Sequence, residues 1–175
     1  AGWLPAQYQG TAFNSGDPST PPVLNLRTPG RVTEAARRRQ LDFIQKLNAQ
    51  HLERFPENSD LEARLKDFET AARMQATVPT AIDLTSETEA TRKLYGIDRP
   101  GTSPYGTRCL LARRLLEQGV RFVGVYLRGQ PWDTHSDNAN ATKAVAAQLD
   151  QPSAALVKDL KQRGLLESTL VVWMG

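Results

Sequence analysis

The chain has 175 residues, 39% hydrophobic and 23% charged, which is enough for one domain with a real core. Its net charge of +3 is only mildly basic, and no apolar run approaches the roughly 20 residues that span a bilayer. A single cysteine, Cys109, excludes an intrachain disulfide and a multi-cysteine zinc site.

In chain order, residues 1–30 read as an irregular segment. AGWLPAQYQG shows neither a basic n-region nor an apolar h-region, so no export signal is visible in it. Gly16, Pro18, Pro21, Pro22, Pro29 and Gly30 give the rest loop composition, with Val23, Leu24 and Leu26 as a short edge strand. Trp3, Tyr8 and Phe13 imply that the segment packs onto something. Residues 31–96 read as a helical insertion. Its first helix begins at about Thr33 and ends at Pro56. Leu41, Ile44, Leu47, His51, Leu52 and Phe55 make its apolar stripe. A capping box at Ser59–Glu62 opens a second helix with Leu61, Leu65, Phe68 and Ala72 inward, so the two form a hairpin. A second capping box, Ser86 with Glu89, opens a short third helix that stops at Gly96.

Residues 105–175 alternate helix, strand, helix, strand. The fourth helix covers about Tyr105–Gln118, with Cys109, Ala112, Leu115 and Leu116 inward, and Cys109 serves as a small buried hydrophobe. Val120, Phe122, Val123, Val125, Tyr126 and Leu127 form an apolar run between Gly119 and Gly129 that suits a strand covered on both faces. A helical region follows at about Asn140–Gln162, kinked or restarted at Pro152. Ser168–Gly175 reads as another buried strand. The alternation predicts an α/β fold in which 121–127 and 169–174 are parallel neighbours joined by a crossover helix. Two strands make a poor sheet, so the chain reads as an internal piece of a larger α/β protein.

The chemistry concentrates in the loop WDTHSDN beyond the first run, where open α/β sheets carry their functional groups. In an extended segment residues two apart point the same way, so Asp133 and His135 can converge on one cation. Carboxylate plus imidazole suits zinc, manganese or iron. The simpler alternative is a loop in which the aspartate caps the next helix and the histidine lies on the surface. His51, the only other histidine, sits on an apolar stripe and reads as a core or interface residue. Thr134 lacks a neighbouring base that would make it a nucleophile. Arg37, Arg38 and Arg39 read as a solvated helix face, with anion or nucleic-acid contact as the alternative.

GVRFVGVYLRGQPWDTHSDN, LDQPSAALVKDLKQRGLLESTLVVWMG, LPAQYQGTAF and YGTRCLLARRLLEQGVRFV together resemble an uncharacterised sulfatase-like family. It is the domain of unknown function numbered fifteen-hundred-and-one, within the alkaline-phosphatase superfamily. The resemblance implies an alkaline-phosphatase-like sheet flanked by helices, and metal-dependent hydrolysis of a sulfate or phosphate ester. It implies a divalent metal (zinc, manganese or calcium) held in part by Asp133 and His135, with Asp137 holding His135 and Asn138 shaping the pocket. The D-x-H spacing is tighter than in many relatives. The family's Glu-Phe-Gly-Arg loop would follow Gly175, and the nucleophile would precede this segment, so no catalytic residue is assigned and the segment alone is expected to be inactive. The implied substrate is a small-molecule or polysaccharide ester, with no nucleic acid or membrane span. The implied location is extracytoplasmic, through a twin-arginine signal upstream. The alternative function is a non-catalytic exported binding or scaffold protein of the same fold.

Overall fold

A computed structural model describes residues 12–13, 30, 32–55 and 78–174. The chain divides into two compact units between Pro79 and Thr80. The edge strand at Val23–Leu26, the capping box at Ser59–Glu62 and the second helix of the expected hairpin lie outside the described residues.

In the first unit, α1 spans Glu34–Arg54. Thr33 caps it, its side chain accepting from the Ala36 amide at 3.2 Å. The C-cap is Phe55, directly before Pro56. Along the apolar stripe Leu41, Ile44 and Leu52 are half-buried, whereas Leu47, His51 and Phe55 are exposed. His51 therefore lies on the surface, edge-on to the Phe55 ring with centroids 5.0 Å apart.

The second unit is a helical layer. A 3-10 turn, Leu84–Ser86, precedes α2 (Glu89–Leu94), α3 (Ser103–Glu117) and α4 (Asn138–Gln162). The cap of α2 is Thr88, whose side chain accepts from the Thr91 amide; the expected cap, Ser86, instead donates to the Asp83 carbonyl. Thr88 can cap because its backbone is extended immediately before the first helical residue. The α2 helix ends in a Schellman motif, with Ile97 N–H donating to the Arg92 carbonyl and Gly96 N–H to that of Lys93, both at 3.0 Å. Gly96 has φ 65°, a conformation that costs glycine little. The same pair of bonds closes α3 at Gly119 and α4 at Gly164.

Side chains add further bonds to the carbonyls at the end of α2. The Gln151 amide donates to Lys93 and Leu94, and the Thr102 hydroxyl donates to the Gly96 carbonyl at 2.6 Å. These bonds tie α2 to α4 and to the start of α3. Helices α3 and α4 pack side by side, and α2 contacts α4. Tyr95, Cys109, Leu110 and Ala155 form the core cluster, with Leu84, Leu94, Ile97, Tyr105, Val125 and Leu156 against it. The α4 helix continues through Pro152, whose ring is buried, and no new helix starts there. Cys109 is 1% exposed, and burial pushes its thiol up to about 12. Cys109 is therefore expected to resist a thiol-reactive dye at pH 8 in the native protein and to react at once in denaturant. Native-state labelling at the denatured rate would refute the buried placement.

The expected sheet is absent. Among the described residues neither 121–127 nor 169–174 forms a strand, so the alkaline-phosphatase-like sheet and the parallel pairing of these runs are both corrected. A strand is defined by lateral hydrogen bonds as well as by apolar composition. No backbone ladder links the two runs. The first run instead lies on the helical layer by one face. Val123, Val125 and Leu127 are half-buried, while Phe122 and Tyr126 are 82% and 73% exposed. That two-residue period was hidden in the sequence because both faces carry apolar side chains. No described helix is long and apolar enough to cross a membrane.

Candidate functional site

The loop that carries Asp133 and His135 is shaped by short-range bonds. Gly129 takes φ 75°, the Asp133 amide donates to the Gln130 carbonyl at 3.1 Å, and the Thr134 amide to that of Trp132 at 3.0 Å. The chain then turns through Asp137, at φ 49°, and enters α4. The left-handed region is open to aspartate because its short polar side chain can hydrogen-bond locally. Here both Asp137 carboxylate oxygens accept from the Asn140 side-chain Nδ2 at 2.9 Å.

Asp133 and His135 do come together. Asp133 Oδ1 lies 3.5 Å from His135 Nδ1, with side chains 60% and 84% exposed. His135 Nδ1 is also 3.4 Å from the Asp133 carbonyl oxygen. A tetrahedral cation holding an oxygen and a nitrogen at its usual bond lengths sets those atoms roughly 3.3 Å apart. The pair therefore fits two corners of such a site with little rearrangement. Within the described residues no group of three or more His, Cys, Asp or Glu side chains could hold a metal ion.

Asp137, expected to support His135, is engaged by Asn140. The Asn138 Oδ1 accepts from the Thr134 hydroxyl at 2.6 Å and from the Thr142 hydroxyl at 3.0 Å. A cleft of about 500 Å³ opens beside the loop, lined by Tyr105, Val125, Trp132, Asp133, Leu149 and Trp173 among others. Its size falls in the range of small-molecule sites. Arg38 and Arg39 are exposed on α1.

Sequence reasoning missed the largest polar assembly among the described residues. Arg113 is 2% exposed. Its guanidinium meets Glu87 Oε2 at 2.7 Å, Glu117 Oε2 at 2.6 Å and Asp159 Oδ2 at 3.2 Å. Arg114 joins Glu87 at 2.5 Å, and Arg163 joins Glu117 and Asp159, each at 2.8 Å. The Tyr95 hydroxyl donates to Asp159 at 3.0 Å, and burial followed by that carboxylate's charge raises the phenol's pKa far above its ordinary value. Three cations face three anions, so the network is neutral and closes the helical layer. The signal was the register of Arg113, four residues after Cys109 and three before Leu116, on the inward stripe.

No curated protein and no solved structure matches the chain. A family described as "Protein of unknown function (DUF1501)" matches residues 1–175, and the chain belongs to that family.

Proposed function

We propose that Asp133 and His135 are two ligands of a divalent metal ion in an enzyme that hydrolyses sulfate or phosphate esters. The observation that carries the reading is the carboxylate oxygen and imidazole nitrogen 3.5 Å apart on one exposed loop, with Asp133 also among the residues that line the cleft. Exposure supports a role beyond structure, because neither side chain fills the core. The mixed oxygen and nitrogen donors suit zinc, manganese or iron. Such an ion, when bound, lowers the pKa of a water or hydroxyl nucleophile and neutralises charge on the ester oxygens. The chain's own contribution is to hold the two donors on one side of the loop and to offer a partly apolar cleft for the rest of the ester. The sulfatase-like resemblance adds the ester class, small-molecule or polysaccharide, and an extracytoplasmic location.

The test is metal content by elemental analysis of the intact protein, beside a thermal melt of each variant. Asp133→Ala and His135→Ala are each expected to lose most bound metal while melting within a few degrees of the parent. His51→Ala, on α1, should keep its metal. If Asp133→Ala and His135→Ala both retain the parent's metal, the assignment fails.

A further inference from the structure

Thr134 stands between the two proposed ligands and faces a different environment from either. It is half-buried, whereas Asp133 and His135 are exposed. Thr134 is drawn toward the helix, and an exposed neighbour stands on each side of it. Asn138, in the first turn of α4, makes this connection: its Oδ1 accepts from Thr134 Oγ1 at 2.6 Å and from Thr142 Oγ1 at 3.0 Å. Thr142, one turn further along, holds the acceptor in line with the helix. A second tie, Asn140 to Asp137, fixes the left-handed corner where loop becomes helix.

We infer that the Thr134–Asn138–Thr142 chain is a latch that positions Asp133 and His135 for a shared cation, with Thr134 and Asn138 as positioning residues that do not touch the ion. The inference rests on the metal reading above and adds the source of the ligands' alignment. Two exposed side chains on a free loop would sample many separations. Anchoring the residue between them narrows that distribution before the ion arrives, as a preorganised metal site requires. The latch also gives the residues around D-x-H distinct jobs: Asn138 acts through Thr134, and Asp137 forms the corner.

The experiment is zinc affinity of the intact protein, measured by competition with a chromogenic chelator, beside a thermal melt. Thr134→Val and Asn138→Leu keep volume and delete the hydroxyl or the acceptor. Each is expected to weaken zinc binding about 10- to 100-fold, the usual loss when a group supporting a ligand is removed. Asn138→Asp and Thr134→Ser restore the acceptor and the hydroxyl. Each should bind zinc about as tightly as the parent, and all four variants should melt within a few degrees of it, whereas a purely structural role would lower the melting temperature of Thr134→Val and Asn138→Leu together with their zinc affinity. If Asp133→Ala and His135→Ala lose zinc while Thr134→Val and Asn138→Leu bind it as the parent does, the latch is overturned and the metal reading stands. If Asp133→Ala and His135→Ala keep zinc, the metal reading falls and the latch with it.

Discussion

Arg113→Leu is expected to destabilise the protein by about 3–5 kcal/mol, the usual cost of removing one partner from a buried ion pair. The substitution deletes a cation that meets Glu87, Glu117 and Asp159 at 2.6–3.2 Å. It leaves three carboxylates facing two arginines. Glu87 and Asp159 each have side chains only 7% exposed, so water cannot take over the lost role. Arg114 stays tied to Glu87 and to the carbonyls of Thr80 and Ala81, and cannot move across to compensate. For a chain of this size the melting temperature should fall on the order of 10 °C. Arg113→Lys should recover little, since an ammonium lacks the planar fork that reaches three carboxylates. A loss below about 1 kcal/mol by denaturant titration would show that the network adds no net stability.

The same network sets a pH dependence. Burial alone would raise the Glu87 pKa, but hydrogen bonds and charge from Arg114 and Arg113 outweigh it and hold the carboxyl below its ordinary value of 4.5. A carboxyl depressed in the folded state stabilises above its unfolded pKa, and that stability is lost as pH falls through the folded value. Stability should therefore be flat above about pH 5 and decline below 4.5. Glu87→Gln should be less stable at neutral pH and show a shallower acid decline. An identical decline in the variant would place the acid sensitivity elsewhere.

Gly106→Ala should be nearly as damaging, although it adds one methyl group. Gly106 lies inside α3, where alanine is normally the better helix former by about 1 kcal/mol. Here a Cβ would fall inside van der Waals contact of the Tyr95 carbonyl oxygen, with Ile97 Cγ1 3.5 Å away. The obstacle is backbone at the end of α2, held by the Schellman bonds and by Thr102. It cannot rotate aside as a side chain would. Forcing α2 and α3 apart also strains the Tyr95–Asp159 bond and the core around Leu110. A net loss of about 1–3 kcal/mol is expected, with sign opposite to helix propensity. A Gly106→Ala variant as stable as the parent would mean that the two helices sit further apart.

Helix limits were legible because they rest on contacts within one turn. The sequence reading placed α1 between Thr33 and Pro56, α3 at about Tyr105–Gln118 and α4 at about Asn140–Gln162. The helices run Glu34–Arg54, Ser103–Glu117 and Asn138–Gln162. The α2 cap was misplaced because Ser86 and Thr88 both have capping chemistry, and only backbone conformation chooses between them. The closeness of Asp133 and His135 was legible because only one residue separates them, although the chain turns there and is not extended. The latch was not, because the Thr134–Asn138 bond depends on where α4 begins, two residues before the expected start.

The sequence by itself determined α1, α3 and α4, the glycine stops, the inward course of Cys109 and the loop that carries a carboxylate beside an imidazole. Each follows from interactions within about four residues. Only the tertiary structure decided what joins distant segments. Tyr95 meets Asp159 across 64 residues and Arg163 meets Glu117 across 46. The cleft draws Trp132 and Trp173 to one place. Residues 121–127 lie on a helical layer and form no strand. An apolar run records only that burial is favourable, whereas the partner that buries it is set by the packing of the whole chain.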